Sequence, residues 1–426
     1  MVMGLSVYLY GRKIGRLEPA TATDYTFEYD DSIVKEVETG TVVLSQALPV
    51  QREAYDPLAT RCYFEGLLPE SSRREELARE LRVSVNDSYA LLARIGRDCA
   101  GAVVILPEGE MLGGDAKADV EWLSAGRLAE LVEELPRKPL GISRASGKLR
   151  LSLAGVQRKL ALVRGEDGRF GEPIGEMPST HLIKPEYGEE VSDLAVNEMF
   201  CMTVAAGIGL PTATTELTSI AGRRCLVSSR FDRVKGAAGS SRLHQEDLCQ
   251  ALGIPANLKY EANSGPGFRH FRRLLAQIGR GGDLRTMVRA AVLNLVLGNS
   301  DAHGKNFAIL FTPEGRRLAP LYDLVSTAVY DFDRDMAMAI GDNFDPDSVR
   351  LEDWLDMSAD CELAPGRLFT MARTTAAEVV TEVTAAKRRA EEEEWHSPVI
   401  DAIAEVVRER AGRIQKEIDD RAEDAA

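Results

Sequence analysis

Six cysteines are scattered through 426 residues, and no two of them stand as Cys-x-x-Cys. That spacing offers neither a zinc knuckle nor a disulfide framework, and it predicts thiols in a reducing compartment. Basic residues are in the minority, with 52 Lys and Arg against 67 Asp and Glu and a net charge of −15. A surface of that sign repels phosphates on average, which argues against a broad nucleic-acid or membrane coat and leaves room only for a local basic patch. No apolar run approaches the roughly 18 residues of a membrane span; the nearest, Ala290–Leu297, is broken by Asn294. The first charges, Arg12 and Lys13, follow a short apolar stretch instead of preceding it. That order is not a secretory signal, so the expected location is cytoplasmic, with no membrane partner. Hydrophobic residues at 44% and charged residues at 28% exclude a disordered or fibrous chain. The length predicts two to three structural units.

The hydrophobic pattern divides the chain. Val7–Tyr10 and Gly15–Leu17 flank a Gly11-Arg-Lys turn, and Tyr25–Tyr29 alternates as a half-buried strand does. Helical spacing runs from Glu75 to Leu92, with a turn at Val83–Asn86. These elements predict a small α/β subdomain over residues 1–110. Turn formers at 107–118, a short helix at Ser124–Leu135 and a Pro/Gly/Ser/Lys stretch predict a linker region over 111–148. Residues 149–233 then read as strands: Leu149–Leu153, a glycine turn at Ala154–Gln157, Leu160–Val163, His181–Lys184 and Arg224–Ser228, with a helix at Asp193–Ala206. From 234 to 426 the spacing is helical apart from a short hairpin at Phe307–Leu318, and Glu391–Glu394 reads as a solvated face. The expected class is α+β. A sheet-containing lobe before a mainly helical one suits a two-lobed nucleotide enzyme.

Chemistry concentrates in Gly298–Phe307, which packs Asp301, His303, Lys305 and Asn306 behind an apolar helix. Asp323 follows the strand-like run Leu318–Leu321. The pattern D-x-x-x-x-N with a second Asp after a hairpin matches the logic of phosphoryl transfer. One carboxylate takes the acceptor's proton, while Asn and the other carboxylate hold Mg²⁺ on the phosphates of ATP. Each residue alone would pass for a polar turn at a helix end; their conjunction points to catalysis. Lys184 closes an apolar strand, from which its ammonium can reach α- and β-phosphates, and Glu198 on the next helix could orient it; by itself a Lys at a strand end reads as plain surface. The glycine turn is neither G-x-G-x-x-G nor a Walker A motif, yet its amides can nest a phosphate. His244, His270 and His396 have no ligand partners at metal spacing and read as ordinary core or surface residues.

Several motifs occur in one order: Ser152-Leu-Ala-Gly-Val-Gln-Arg-Lys159, Thr180–Lys184, Arg230-Phe-Asp-Arg233, Gln245–Asp247, Asp301-Ala-His-Gly-Lys-Asn-Phe307 and Tyr322-Asp323. Phe64–Glu70 and Ile95–Ala102 precede them. Together they resemble the HipA family of serine/threonine kinases, the toxin halves of bacterial HipBA toxin–antitoxin modules. The resemblance implies a protein-kinase-like core. It makes Asp301 the catalytic base, Asn306 and Asp323 the metal ligands, and His303, Gly304 and Lys305 the lining of the triphosphate. Ala154, Gly155, Val156, Gln157, Arg158 and Lys159 would form the phosphate loop, with Lys184 on the phosphates and Tyr322 beside Asp323 in the nucleotide site. Ser229, Arg230 and Phe231 would be the hinge that meets adenine. The family's first hinge residue is acidic and here it is Ser229, which weakens side-chain contact but not main-chain recognition. Tyr322-Asp323-Leu324 replaces the D-F-G of ordinary protein kinases.

The resemblance further implies a growth-arresting toxin that phosphorylates a translation component such as an aminoacyl-tRNA synthetase. It would switch itself off by autophosphorylation at Ser152, and co-repress its operon with a HipB-like helix-turn-helix antitoxin that supplies most of the operator DNA contact. Two rival readings are a non-catalytic corepressor scaffold and a small-molecule phosphotransferase. The intact Asp301, Asn306, Asp323 and Lys184 speak against the first, and the N-terminal motifs and phosphate loop against the second. The last hundred residues carry no matching motif.

Overall fold

The structure, a computed structural model, describes residues 4–21, 23–112, 118–137, 157–188, 191–236, 239–278 and 281–419. Ser152, Ala154, Gly155, Val156 and the strand expected at Leu149–Leu153 lie outside them. In chain order come β1 (Leu5–Leu9), β2 (Arg12–Pro19), β3 (Tyr25–Tyr29), α1 (Asp31–Glu36), α2 (Pro57–Phe64), α3 (Ser71–Leu81), α4 (Ser88–Ile95), β4 (Val103–Pro107), β5 (Asp119–Trp122) and α5 (Ala125–Glu134). Next are β6 (Leu160–Arg164), β7 (Phe170–Ile174), β8 (His181–Pro185), α6 (Leu194–Gly207), β9 (Thr215–Ile220), β10 (Arg223–Ser229), β11 (Arg233–Gly236), β12 (Gly239–Arg242) and β13 (His244–Asp247). The rest is α7 (Leu248–Leu252), α8 (Phe268–Ile278), α9 (Gly281–Leu297), β14 (Ala308–Thr312), β15 (Gly315–Leu318), α10 (Leu351–Asp360), α11 (Pro365–Glu392) and α12 (Pro398–Asp419). The mixture of helix and sheet is the α+β class expected. No helix among the described residues is long and apolar enough to cross a membrane.

The described residues fall into two units. One holds those up to Pro185 with Thr218–Ala256 and Leu310–Glu314; the other holds Glu186–Leu217, Asn257–Ile309 and those from Gly315 onward. The helix α6, read from sequence with the sheet residues, therefore belongs to the second unit, and 234–256 to the first.

In the first unit, a four-stranded sheet runs in the order β3-β2-β1-β4. Its first hairpin turns on Tyr10 (φ 51°) and Gly11 (φ 81°), both left-handed. Two such residues make the turn whose twist matches the strands, one position earlier than the glycine alone suggests. Tyr25, Phe27 and Tyr29 alternate inward as predicted, and Phe27 packs on Phe64 with ring centroids 5.4 Å apart. The helical spacing of 75–92 resolves into α3 and α4. Arg82 at φ 54° ends the first, and Asp87 caps the second by accepting the Ala90 N–H at 2.8 Å. A second sheet has the order β5-β7-β6-β8-β10-β9. Its edge strand β5 comes from the stretch expected to be linker and pairs antiparallel with β7, Glu121 opposite Glu172.

In the second unit, α9 is buried on nearly every side from Met287 to Leu297, which is why its sequence shows no polar face. Helix α11 packs on α6, α9 and α12. Glu391–Glu394 is exposed, the solvated face its charge predicts.

Candidate active site

The loop carrying Asp301 begins where α9 stops. Asn299 donates its N–H to the Asn294 carbonyl at 2.9 Å and Gly298 donates to Leu295 at 3.2 Å, the paired bonds that end a helix through a left-handed residue. Gly298 is that residue, at φ +75°, and a Cβ there would stand 2.6 Å from the Ala328 Cβ. Glycine is required on both counts. The Gly298 carbonyl then accepts the Thr327 and Ala328 N–H groups at 2.9 and 3.0 Å, tying loop to loop.

Beyond it the loop is bonded to itself. The Asn299 side-chain oxygen accepts the Asp301 N–H at 3.2 Å, and the Asp301 carbonyl accepts the His303 N–H at 2.8 Å. His303 in turn takes the Asn306 N–H at 2.9 Å over a 3₁₀ turn, Gly304–Asn306. The outcome is an exposed Asp301 carboxylate, its side chain 56% accessible, among buried neighbours His303 and Lys305. The His303 Nε2 lies 3.9 Å from Asp301 Oδ1.

Asp323 reaches this loop from the other direction. Leu321 is paired on both sides of its backbone with Pro211 and Ala213, each bond 2.8 Å, and the Tyr322 hydroxyl donates to the Lys305 carbonyl at 2.7 Å. Asp323 itself sits at φ 59°, a conformation costly for a residue other than glycine and common where a carboxylate must be aimed. Just beyond, Asn197 of α6 holds Ser326 by both backbone groups, accepting its N–H at 2.8 Å and donating to its carbonyl at 2.9 Å. The Asn306 amide donates to Asp323 Oδ2 at 3.2 Å, while its Oδ1 is buried with no partner among the described residues. A buried amide oxygen lacking a donor, next to a carboxylate, is a pair of hard oxygens of the kind Mg²⁺ takes from a protein. The residues present fit that ion.

The other expected contacts lie in the first unit. Lys184 is buried in β8 opposite Leu226 of β10, and Ser229 closes β10 opposite His181. Arg230 is committed elsewhere. Its N–H goes to the Thr180 carbonyl at 2.9 Å, and its guanidinium to Asp232 at 2.9 Å, Ser179 Oγ at 2.8 Å and the Cys99 carbonyl at 2.9 Å. Of the three expected hinge residues, Arg230 therefore has neither its amide nor its side chain to give adenine. Arg233 and Arg242 join the same cluster through Asp98 at 3.1 and 2.7 Å, and the Gly101 N–H donates to Asp232 at 2.7 Å. Burial drives both carboxyls upward, but the guanidiniums more than reverse it: Asp98 ends well below the usual carboxylate range and Asp232 at about 2. Buried charge of this kind is tolerable only when every partner is present. Arg158 likewise pairs with Glu76 of α3 at 3.0 Å. Gln157 and Lys159 adjoin it, and Glu198 is buried on α6 in the second unit.

Sequence reasoning did not find Asp98, Asn197 or Tyr260. Asp98 stands inside the motif Ile95–Ala102, but its guanidinium partners Arg233 and Arg242 lie more than a hundred positions away.

The first unit's N-terminal sheet falls in a segment, residues 5–106, matched by the family model for the HipA N-terminal domain. Residues 151–390 match the model for the HipA-like C-terminal domain. The chain is 39% identical over 354 residues to the Y4mE protein of Sinorhizobium fredii, covering 79% of this chain and 80% of that one. It is 33% identical over 362 residues to the serine/threonine-protein kinase toxin HipA of Shewanella oneidensis, covering 81% and 80%. A Shewanella oneidensis structure of HipA with HipB and its operator DNA superposes with a TM-score of 0.81 at 27% identity, over 98% of both chains.

Proposed function

The chain belongs to the HipA family of serine/threonine-protein kinase toxins, and from that premise we propose how its residues divide the work. The observation that carries the reading is the meeting of Asn306 with Asp323 across 17 residues, five positions after the exposed Asp301. In the proposed reaction, Asp301 takes the proton of a serine or threonine hydroxyl. The freed oxygen bonds to the γ-phosphorus of ATP as the bond to the β–γ bridging oxygen breaks, and ADP leaves. Magnesium held by Asn306 and Asp323 would neutralise charge on the phosphates. Lys184 and the residues Ala154 to Lys159 would hold the triphosphate, with His303, Gly304 and Lys305 lining it and Tyr322 beside Asp323. Adenine is left to Ser229 and Phe231.

The acceptor we propose is a translation component such as an aminoacyl-tRNA synthetase, phosphorylated in the cytoplasm to arrest growth, with phosphorylation at Ser152 as the off-switch. The Shewanella oneidensis complex supports a HipB-like antitoxin as partner. A net charge of −15 supports operator contact made mainly through that antitoxin.

Purified protein incubated with radiolabelled ATP and magnesium tests the chemistry. Label is expected on Ser152, absent in Ser152→Ala and absent without magnesium. Asp301→Asn and Asp323→Ala should each lower incorporation at least about 100-fold with the unfolding midpoint unchanged. Wild-type incorporation in Asp323→Ala would remove the metal assignment. No incorporation by the parent protein would favour the scaffold reading.

A further inference from the structure

An exposed carboxylate is a poor base unless something fixes it, because a freely rotating side chain spends little time in the reactive pose. Asp301 is such a group, and the structure shows what fixes it. The Tyr260 hydroxyl donates to Asp301 Oδ1 at 2.6 Å, a length typical of a bond to a charged acceptor. The tyrosine is itself held. Its ring stands edge-on to His303, with centroids 5.3 Å apart and planes at 88°, and the Lys259 ammonium lies 5.4 Å from its centroid. The backbone on either side is anchored too. The Lys259 carbonyl accepts the Gly304 N–H at 3.1 Å, and Glu261 donates its N–H to the Ala337 carbonyl at 2.9 Å. Ala337 passes the tie back to the loop by donating to the Ser300 carbonyl at 2.9 Å. The segment 259–261 is thus fastened to the loop at Ser300, Asp301, His303 and Gly304.

We propose that Tyr260 is the positioning residue of the catalytic base: its hydroxyl holds Oδ1 and thereby fixes the plane of the carboxylate that takes the acceptor's proton. This rests on Asp301 being the base. Tyr260 contributes no proton to the net reaction and acts only through Asp301.

Tyr260→Phe keeps the ring and its edge contact and removes the hydroxyl alone. The maximal rate of labelled phosphate transfer at saturating ATP is expected to fall about tenfold. ATP affinity by calorimetry and the unfolding midpoint should stay at their parent values. The double variant Tyr260→Phe, Asp301→Asn should be no slower than Asp301→Asn alone, since a residue acting through the base has nothing left to act on. Full rate in Tyr260→Phe overturns the inference, and so does a loss shared equally between rate, ATP affinity and unfolding midpoint, which would make the contact structural. A parent rate in Asp301→Asn is a different failure: it removes the base assignment, and the role of Tyr260 with it.

Discussion

Burial sets the charge of His244. Its ring is inaccessible, packs on Phe311 with centroids 4.8 Å apart, and places Nε2 at 2.6 Å from the Leu44 carbonyl, to which it donates. Loss of solvation pulls its pKa from 6.5 down to about 4. In the unfolded chain the imidazole takes up a proton near its ordinary value, so between those limits the unfolded state binds more protons than the folded one. The contribution is whole above the unfolded pKa and declines as pH falls toward the folded one. Chemical unfolding should therefore show a loss of about 2 kcal/mol between pH 7 and pH 5. In His244→Gln that part of the slope should vanish. The variant is needed because burial also lowers the pKa of His270. Asp98 and Asp232 titrate in another window: their pKa values are depressed, so their contribution is whole above the ordinary carboxylate pKa and is lost as pH falls from there through the folded values, below the range in which His244 titrates. A slope in His244→Gln equal to the parent's would contradict the assignment. From sequence, His244 was visible only as a histidine without ligand partners. Which carbonyl it meets, 200 positions away, was not readable.

At the scale of elements, α9 and the loop it launches depend on α12, a helix in which no family motif was recognised. Arg410 of α12 is buried and donates to the Leu295 carbonyl at 3.1 Å, in the last turn of α9. A cation at a helix C-terminus is favourable in itself, and here it also gives the Leu295 carbonyl a second donor beside the Gly298 N–H. Arg410→Leu removes both contributions. The other neighbour, Asp347, keeps Arg413 at 2.7 Å, so no carboxylate is stranded and the loss should be moderate, about 2 kcal/mol in an unfolding titration. Because Gly298 and the loop proposed to carry the base begin three residues after Leu295, the transfer rate should fall as well. A variant with unchanged stability and rate would show that α12 does not hold this junction. The loop itself was legible in advance because Asp301, His303, Lys305 and Asn306 are consecutive or nearly so, and a local pattern survives in one dimension. The support from Arg410 was not, being 115 positions distant.

At the scale of the molecule, the prediction concerns partners. A protein that binds only the folded toxin stabilises it by mass action, by about 2.7 kcal/mol at a hundred times its dissociation constant. A helix-turn-helix protein encoded beside this chain should copurify with it, raise its thermal midpoint in proportion to concentration, and restore growth on co-expression. Failure of all three would leave a kinase without the antitoxin proposed for it. The acidic chain should by itself retain operator DNA weakly in a binding assay at physiological salt, and the complex strongly.

By itself the sequence determined the α+β class and the buried helix before the loop, and it singled out Asp301, Asn306 and Asp323 as the residues proposed for the chemistry, because short-range periodicity and contiguous motifs are legible in one dimension. It did not determine that 119–122 would be a sheet edge, since a four-residue strand among turn formers carries too little pattern to register. Nor did it reveal that Arg230 would be spent on Asp232, Ser179 and Cys99. Those contacts, like the hydroxyl of Tyr260 on Asp301, join positions 41 or more residues apart in most cases, and only folding brings such groups within hydrogen-bonding distance. Tertiary structure decided them because a hydrogen bond is sensitive to tenths of an ångström, whereas spacing along a chain is blind to where the chain returns.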